Sequence, residues 1–302
     1  MKVKKHKRKE SLSRRIFLVC NATFLILFAL ACLVPFFYLL AVSLSDPIAV
    51  NEGNVGIVPV GANLSAYKML IQKKDFWRSF RVSIDRVVLG TVLSLVVNIL
   101  AAYPLSRSKK FFKGRIAYVM IFVVTMFFNG GIVPNYIIMT KLGLMDTIFA
   151  LILPTALNAW NIVLLISFFR EVPSELIEAA EMDGAGQYQI LFKVVLPISL
   201  PAIATVTLFT AVAHWNNWFD GYMYMENSAN YPLQTYIYNV INQANELLRN
   251  PNNQQQGGQA AETTIKTLQC AQIFIGMLPV MLIYPFVQKY FIKGLTQGGV
   301  KE

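Results

Sequence analysis

Five of the sixteen carboxylates in this 302-residue chain fall within one short stretch: Glu171, Glu175, Glu178, Glu181 and Asp183. Among them stand Ala179 and Ala180, side chains so small that another protein's surface can approach the backbone closely. The chemistry such a set can perform is docking, with carboxylates offered to basic groups around a shallow apolar centre. Ser174 is expected to cap a helix whose first turn carries Glu175, where a negative charge suits the helix dipole. Gly184 permits a sharp turn, and a second helix then runs through Val194, Val195 and Leu196 into Pro197. An acidic run is usually a solvated face. Here the small pair and the long apolar segments on either side argue for a docked one.

A second constellation is the tract His214, Trp215, Asn216, Asn217, Trp218, Phe219, Asp220 and Gly221. Sugar recognition uses aromatic faces against C–H surfaces and Asn, Asp or His against hydroxyls, so this tract is a possible substrate path. The alternative keeps Trp215 and Trp218 in an outer aromatic belt, with Asn216 and Asn217 bonding neighbouring backbone. Both readings stand at this level. Asn98, Asn158, Asn161 and Gln272 lie inside apolar segments and are read first as hydrogen-bonding glue between helices, second as cavity lining.

Motifs for catalysis or nucleotide binding do not occur. No Gly-x-x-x-x-Gly-Lys phosphate loop and no Gly-x-Ser-x-Gly elbow is found. The two histidines, His6 and His214, stand in no metal-binding pattern. Cys20, Cys32 and Cys270 all sit in apolar segments with neither metal nor disulfide spacing, and Met223 and Met225 read as packing residues. The chain is therefore expected to hold no cofactor or metal and to be no enzyme.

The elements that must position these groups are membrane helices. Hydrophobic residues make up 55% of the chain and charged ones 14%, with a mean hydropathy of +0.50. Six stretches lack Asp, Glu, Lys and Arg: residues 16–45, 87–106, 116–140, 147–169, 194–219 and 267–288. Each is long enough to cross a bilayer core of roughly 30 Å as a helix. Pro and Gly interrupt several, which membranes tolerate where neighbouring helices satisfy the freed backbone groups.

The net charge of +11 could suggest nucleic acid, but its placement argues for topology instead. Basic residues crowd the first 15 positions, the loop from Arg107 to Arg115, and Arg170, Lys193, Lys289, Lys293 and Lys301. That side collects 18 of the 27 Lys and Arg residues and is expected to be cytoplasmic, with both termini and the acidic stretch. The basic start followed by an apolar run superficially resembles a signal peptide. The run is too long and lacks a small-residue cleavage site, so it reads as a retained first helix.

Residues 1–15 then form a basic cytoplasmic arm and 16–302 one membrane domain, with the acidic loop at 170–200 and an external loop at 220–266. Between the first two spans, residues 63–80 mix aromatic and basic side chains and read as an amphipathic surface helix. Asn129, Gly130, Gly131 and Pro134 mark the link between the third and fourth spans. The Gln/Asn-rich stretch at 250–259 reads as a mobile loop.

The acidic stretch resembles the EAA loop of importer-type ABC permeases: Glu-Ala-Ala, three residues, Gly, nine residues, then Ile-x-Leu-Pro. Glu178, Ala179, Ala180, Gly184, Leu196 and Pro197 match, and Val194 replaces Ile. Phe168, Phe169, Arg170, Glu171, Val172, Pro173, Ser174 and Glu175 before the loop resemble the carbohydrate-uptake branch. So do residues 192–201 after it and 284–294, from Tyr284 to Gly294. These segments are similar to the smaller permease subunit of maltose-type importers. The tract from His214 to Gly221, with Tyr231, Pro232, Leu233, Gln234 and Thr235, is closer to Gram-positive permeases for complex oligosaccharides.

The resemblance implies an all-α, six-span permease of the bacterial cytoplasmic membrane that imports an oligosaccharide by alternating access. It implies a second homologous permease, two ATP-binding subunits that carry ATP and Mg, an external solute-binding protein, and a lipid surround. Within it, Glu178 pairs with a basic residue of the ATPase, Ala179 and Ala180 pack into its cleft, and Gly184 sets the bend. A permease for a peptide or amino acid is the alternative within the class; a membrane enzyme or scaffold is the alternative outside it. Adjacent genes for a second permease and a secreted binding protein favour import, whereas an isolated gene weakens it.

Overall fold

The computed structural model describes residues 12–108, 111–128, 130–249 and 265–283. Residues 1–11 of the basic arm, the stretch at 250–259 and the motif at 284–294 lie outside the described residues. Within them the chain is helical and has no strand, in keeping with the all-α class.

Helices α1 (Leu12–Ser43), α2 (Pro47–Asn51), α3 (Ser65–Gln72) and α4 (Lys74–Ser106) come first. Then follow α5 (Arg115–Phe127), α6 (Ile132–Lys141), α7 (Ile148–Ala156), α8 (Ala159–Arg170) and α9 (Ser174–Met182). Next come α10 (Gln187–Ile190), a π-helical turn (Leu191–Val195), α11 (Leu196–Ile198), α12 (Leu200–Asn216) and α13 (Phe219–Tyr224). Last are α14 (Leu233–Arg249) and α15 (Ile265–Ile283).

Helices α1, α4 and α15 are each long and apolar enough to span a membrane unbroken. Three further candidates are bent pairs: α5 with α6 at 112°, α7 with α8 at 49°, and the helix Gln187–Ile198 with α12 at 83°. The breaks follow the backbone chemistry. Pro197 has no N–H for the carbonyl of Lys193, and the preceding residues wind into the wider π turn, where the Leu196 N–H reaches the Leu191 carbonyl. Pro201, in the first turn of α12, likewise has no N–H for the carbonyl of Pro197, and the chain turns at Ser199. Residues 194–199, expected to open the fifth span, therefore lie on the far side of a sharp bend.

The surface helix expected at 63–80 is divided. Helix α3 ends at Gln72, Lys73 is extended, and the remaining residues are the first two turns of α4. Tertiary packing decides this: Phe76 is fully buried against Tyr236, and Phe80 lies edge-on to Trp215 at 5.7 Å. The expected external loop at 220–266 is also more ordered than its composition suggests, since α13 and α14 occupy much of it.

Two compact units divide the described chain. One comprises, of the described residues, 12–70 with 244–249 and 265–274. In it Ala41, Val42 and Val55 form a small core, and the Ser43 and Tyr67 hydroxyls meet at 2.7 Å. Most of α1 is exposed and apolar, as a lipid-facing helix must be. The other unit comprises, of the described residues, 71–243 with 275–283 and holds the two cavities and the acidic helix.

In that larger unit α4 packs on α7, α8 and α12. Its buried stripe is Ser79, Ser83, Arg86, Gly90, Thr91, Ser94, Asn98 and Ala102, while Val88, Leu89, Val92, Val96 and Leu100 are exposed. Small and polar groups inside with aliphatic groups outside is the arrangement by which membrane helices approach closely. Gly90 shows how closely: a Cβ there would stand 2.6 Å from His214 Nε2. Towards the Ser106 end, Ala102, Tyr103, Leu105, Ile162, Leu165, Phe169, Ile190 and Val195 form the main apolar core.

Candidate functional site

At that end of the larger unit the acidic stretch forms α9. Its first helical residue is Ser174, which makes no capping bond; Pro173, with φ −54°, precedes it. The Ser174 cap expected from the sequence is therefore replaced by a proline whose fixed φ already suits a helix entry. The far end closes as a Schellman motif, in which Ala185 N–H donates to Ala180 O at 2.9 Å and Gly184 N–H to Glu181 O at 3.0 Å. Gly184 holds φ +78° with nothing within 4 Å of a Cβ, so backbone conformation and not space demands glycine there.

Glu178, Ala179, Asp183 and Pro197 are exposed. Ala180 is half-buried and packs with Ile177 and Ala185 against the main core. Exposed apolar side chains surround the acidic ones: Met182 is 87% exposed, Tyr188 73% and Phe192 59%. Sequence reading did not single out these three; an apolar residue beside an acidic helix carries no signal until its exposure is known. Together they make α9 and the turn after it an unpartnered surface of apolar and acidic groups.

Behind α9 is a cavity of about 490 Å³ lined by Tyr103, Arg107, Phe111, Arg170, Glu178 and Glu181. Arg107 Nη2 reaches Glu181 Oε1 at 2.5 Å, and its guanidinium carbon stands 5.2 Å from the centroid of the Phe111 ring. Tyr103 donates its hydroxyl to Gln187 Oε1 at 2.9 Å.

A second cavity of about 410 Å³ opens among α4, α7, α8 and α12, with the polar residues Arg86, Thr155, Asn158, Asn161, Thr210 and His214 on its wall. Trp160 and Phe209 add aromatic surface. Arg86 is its single charged lining residue among the described ones. The asparagines hold the helices around it. Asn98 Nδ2 donates to Ala156 O at 3.0 Å, and Asn98 Oδ1 accepts from Asn158 N–H at 3.0 Å, so α4 satisfies backbone groups freed where α7 and α8 bend. Asn161 Nδ2 donates to the Thr210 hydroxyl at 3.2 Å. For Asn158 and Asn161 helix bonding and cavity lining are not alternatives, because each does both, whereas Asn98 is fully buried and only bonds. Gln272 is fully buried in the smaller unit.

The tract at 214–220 divides by residue. His214 is buried against Gly90 and lines the cavity with Asn217. Trp215 is buried and donates Nε1–H to Gly276 O at 2.9 Å, which removes it from any outer belt. Asn216 is exposed, and Trp218 stacks on Tyr238 at 3.9 Å. Asp220 pairs with Arg86, whose Nη1 also donates to Asn217 O at 2.9 Å. Arg86 was not singled out from sequence, since it stands in a basic stretch just outside the second apolar segment.

Residues 1–297 match the family described as "Binding-protein-dependent transport system inner membrane component". The chain is 37% identical over 290 residues to the polygalacturonan/rhamnogalacturonan transport system permease protein YtcP of Bacillus subtilis, covering 96% of this chain and all of that one. Protein LplC of the same organism is 37% identical over 287 residues, with 95% of each chain covered. A chain in the crystal structure of a bacterial ABC transporter involved in the import of the acidic polysaccharide alginate matches with a TM-score of 0.83 at 36% identity. That match covers 94% of this chain and 100% of the solved one.

Proposed function

This chain belongs to the family of binding-protein-dependent transport system inner membrane components, and on that footing we propose that it is a permease subunit of an ATP-driven importer of oligosaccharides. The observation that carries the reading is α9. It is exposed, closed at Gly184 by a Schellman motif, and bears Glu178 and Ala179 outward beside Met182. An acidic surface with an apolar centre is suited to a basic-rimmed cleft on a partner, where partly desolvated pairs contribute more than exposed ones.

In this reading α9 is the coupling helix. Glu178 and Asp183 face basic groups of an ATP-hydrolysing subunit, Ala179 admits its surface, Ala180 fixes the helix to its own core, and Pro197 shapes the turn beyond. Two such subunits bind ATP with Mg, a second homologous permease completes the pore, and a solute-binding protein delivers the sugar from outside. The excess of basic residues around α9 supports a cytoplasmic location for it and for both termini. ATP binding closes the partner pair, α9 follows, and the second cavity changes the side to which it opens. That is a two-state element biased from two distant sites.

The substrate we assign is a carboxylated oligosaccharide. Polygalacturonan is a polymer of an acidic sugar, and alginate is called acidic in the description of the solved relative; Arg86 is already neutralised by Asp220, so the cavity meets such a sugar with hydrogen-bonding groups and not with a free charge. Its volume lies within the roughly 300–1,000 Å³ of small-ligand sites. His214, Asn158, Asn161 and Thr210 offer hydrogen bonds to hydroxyls, and Trp160 an aromatic face.

The test is uptake by proteoliposomes that hold the complete importer, given ATP and either oligogalacturonides or neutral maltooligosaccharides. ATP-dependent accumulation of the acidic oligomers is expected. Uptake of neutral sugars alone would overturn the substrate assignment, and failure of the chain to copurify with any ATPase would overturn the coupling assignment.

A further inference from the structure

We propose that Arg107 and Tyr103, at the end of α4, clamp the coupling loop on both sides of its Gly184 bend and so make α4 a transmission rod from α9 to the second cavity. The proposal rests on α9 being the coupling helix. Arg107 bonds Glu181, three residues before Gly184. Tyr103 bonds Gln187, three residues after it. Gln187 Nε2 lies 3.4 Å from the same Glu181 oxygen, which closes the ring. Tyr103 stands in the last turn of α4, and Arg107, the extended residue that caps the helix, lies over its ring.

The clamp is built as a holding device and not as a loose surface pair. The Arg107 side chain is only 10% exposed, against 40% for Glu181, and it lies over the rings of Tyr103 and Phe111. Arg107 also receives a bond at its carbonyl from the Arg115 guanidinium, and Arg170 Nη2 donates to Leu105 O at 3.3 Å. The last turn of α4 is therefore fixed to the start of α5 and the end of α8 as well as to the loop.

From this anchor α4 runs without interruption to the cavity. Asn98 and Ser94 grip the Ala156 carbonyl at the bend between α7 and α8. Arg86 lies about 25 Å along the helix from Tyr103, at the far side of the cavity. A displacement of α9 thus reaches the cavity by two routes: through the chain into α8, and through the clamp into α4. Only when both move together can α4 keep its bonds at the α7–α8 bend, so the clamp keeps the cavity wall in register with the coupling helix. Arg107 and Tyr103 are positioning residues; they touch no substrate.

The experiment needs no knowledge of the substrate. In the complete importer, with Cys20, Cys32 and Cys270 replaced by serine, Ala213→Cys on the cavity wall is labelled by a membrane-impermeant thiol reagent, with and without ATP and vanadate. The parent complex should show an ATP-dependent change in labelling rate; its absence would sink the coupling assignment itself. Glu181→Gln, Arg107→Met and Tyr103→Phe should each assemble and hydrolyse ATP, yet cut that change roughly fivefold or more, the low end of typical coupling. The exchange of Arg107→Glu with Glu181→Arg should restore at least part of it. Should the single variants keep the full change, or the exchange do no better than they do, the clamp transmits nothing. Loss of assembly in Glu181→Gln would equally refute the proposal, since the contact would then hold the fold.

Discussion

The guanidinium of Arg86 on α4 and the carboxylate of Asp220 on α13 form a buried ion pair, their side chains 1% and 13% exposed. Breaking such a pair from one side strands a charge, at a cost of about 3–5 kcal/mol, whereas replacing both partners with apolar groups is often neutral. Arg86→Leu and Asp220→Leu should each lower the thermal midpoint of the detergent-solubilised complex. The double variant should regain most of the stability. Equal melting of all four proteins would show that the pair does not hold α13 to α4.

Gly90 and His214 give a second, steric test. A Cβ at 90 would meet three atoms of the imidazole at 2.6–2.9 Å, so the ring or the helix must shift. Gly90→Ala should be destabilising by about 1–3 kcal/mol, the usual cost of overpacking. His214→Ala in the same chain should relieve most of it. Additive losses in this double-mutant cycle would mean that the two helices adjust without the ring.

At Gly184 the constraint is the backbone alone. A β-branched residue there opposes φ +78° by roughly 1–2 kcal/mol, while Asn tolerates the left-handed region. Gly184→Val should impair transport without reducing membrane insertion, and Gly184→Asn should stay near wild type. If both behave alike, the bend is not what the glycine is for.

Ala179 and Ala180 should separate although they are adjacent. Ala179 is exposed and Ala180 packs on the chain's own core. Ala179→Trp is expected to weaken ATPase association in a pull-down while the chain melts normally. Ala180→Trp is expected to lower the chain's own thermal midpoint. Glu178→Ala should have a milder effect on association than Ala179→Trp, because packing still holds a docked helix when one charge pair is lost.

The orientation inferred from charge is checked in intact cells. Cysteines at Ser108 and Ser174 should resist an impermeant thiol reagent, and one at Asn227 should react. Labelling of Ser174→Cys from outside would reverse the topology and remove α9 from the ATPase side.

Local rules made much of this protein legible. The apolar stretches, their prolines and the glycine after the acidic helix follow from hydropathy and backbone stereochemistry, which neighbouring residues determine among themselves. Hence the helical class and the bend at Gly184 could be read directly, as could the identity of α9 as a docking candidate. Three-dimensional packing decided what a one-dimensional pattern does not contain. Phe76 and Phe80 look like interfacial aromatics until Tyr236 and Trp215 arrive to cover them. Trp215 looks like a belt residue until Gly276 accepts its hydrogen bond. Arg86 is one basic residue among several until the fold brings Asp220, 134 positions away, against it. In each case the partner is distant in sequence. A charge or ring is functional or structural according to what stands opposite, and only the assembled helices determine that.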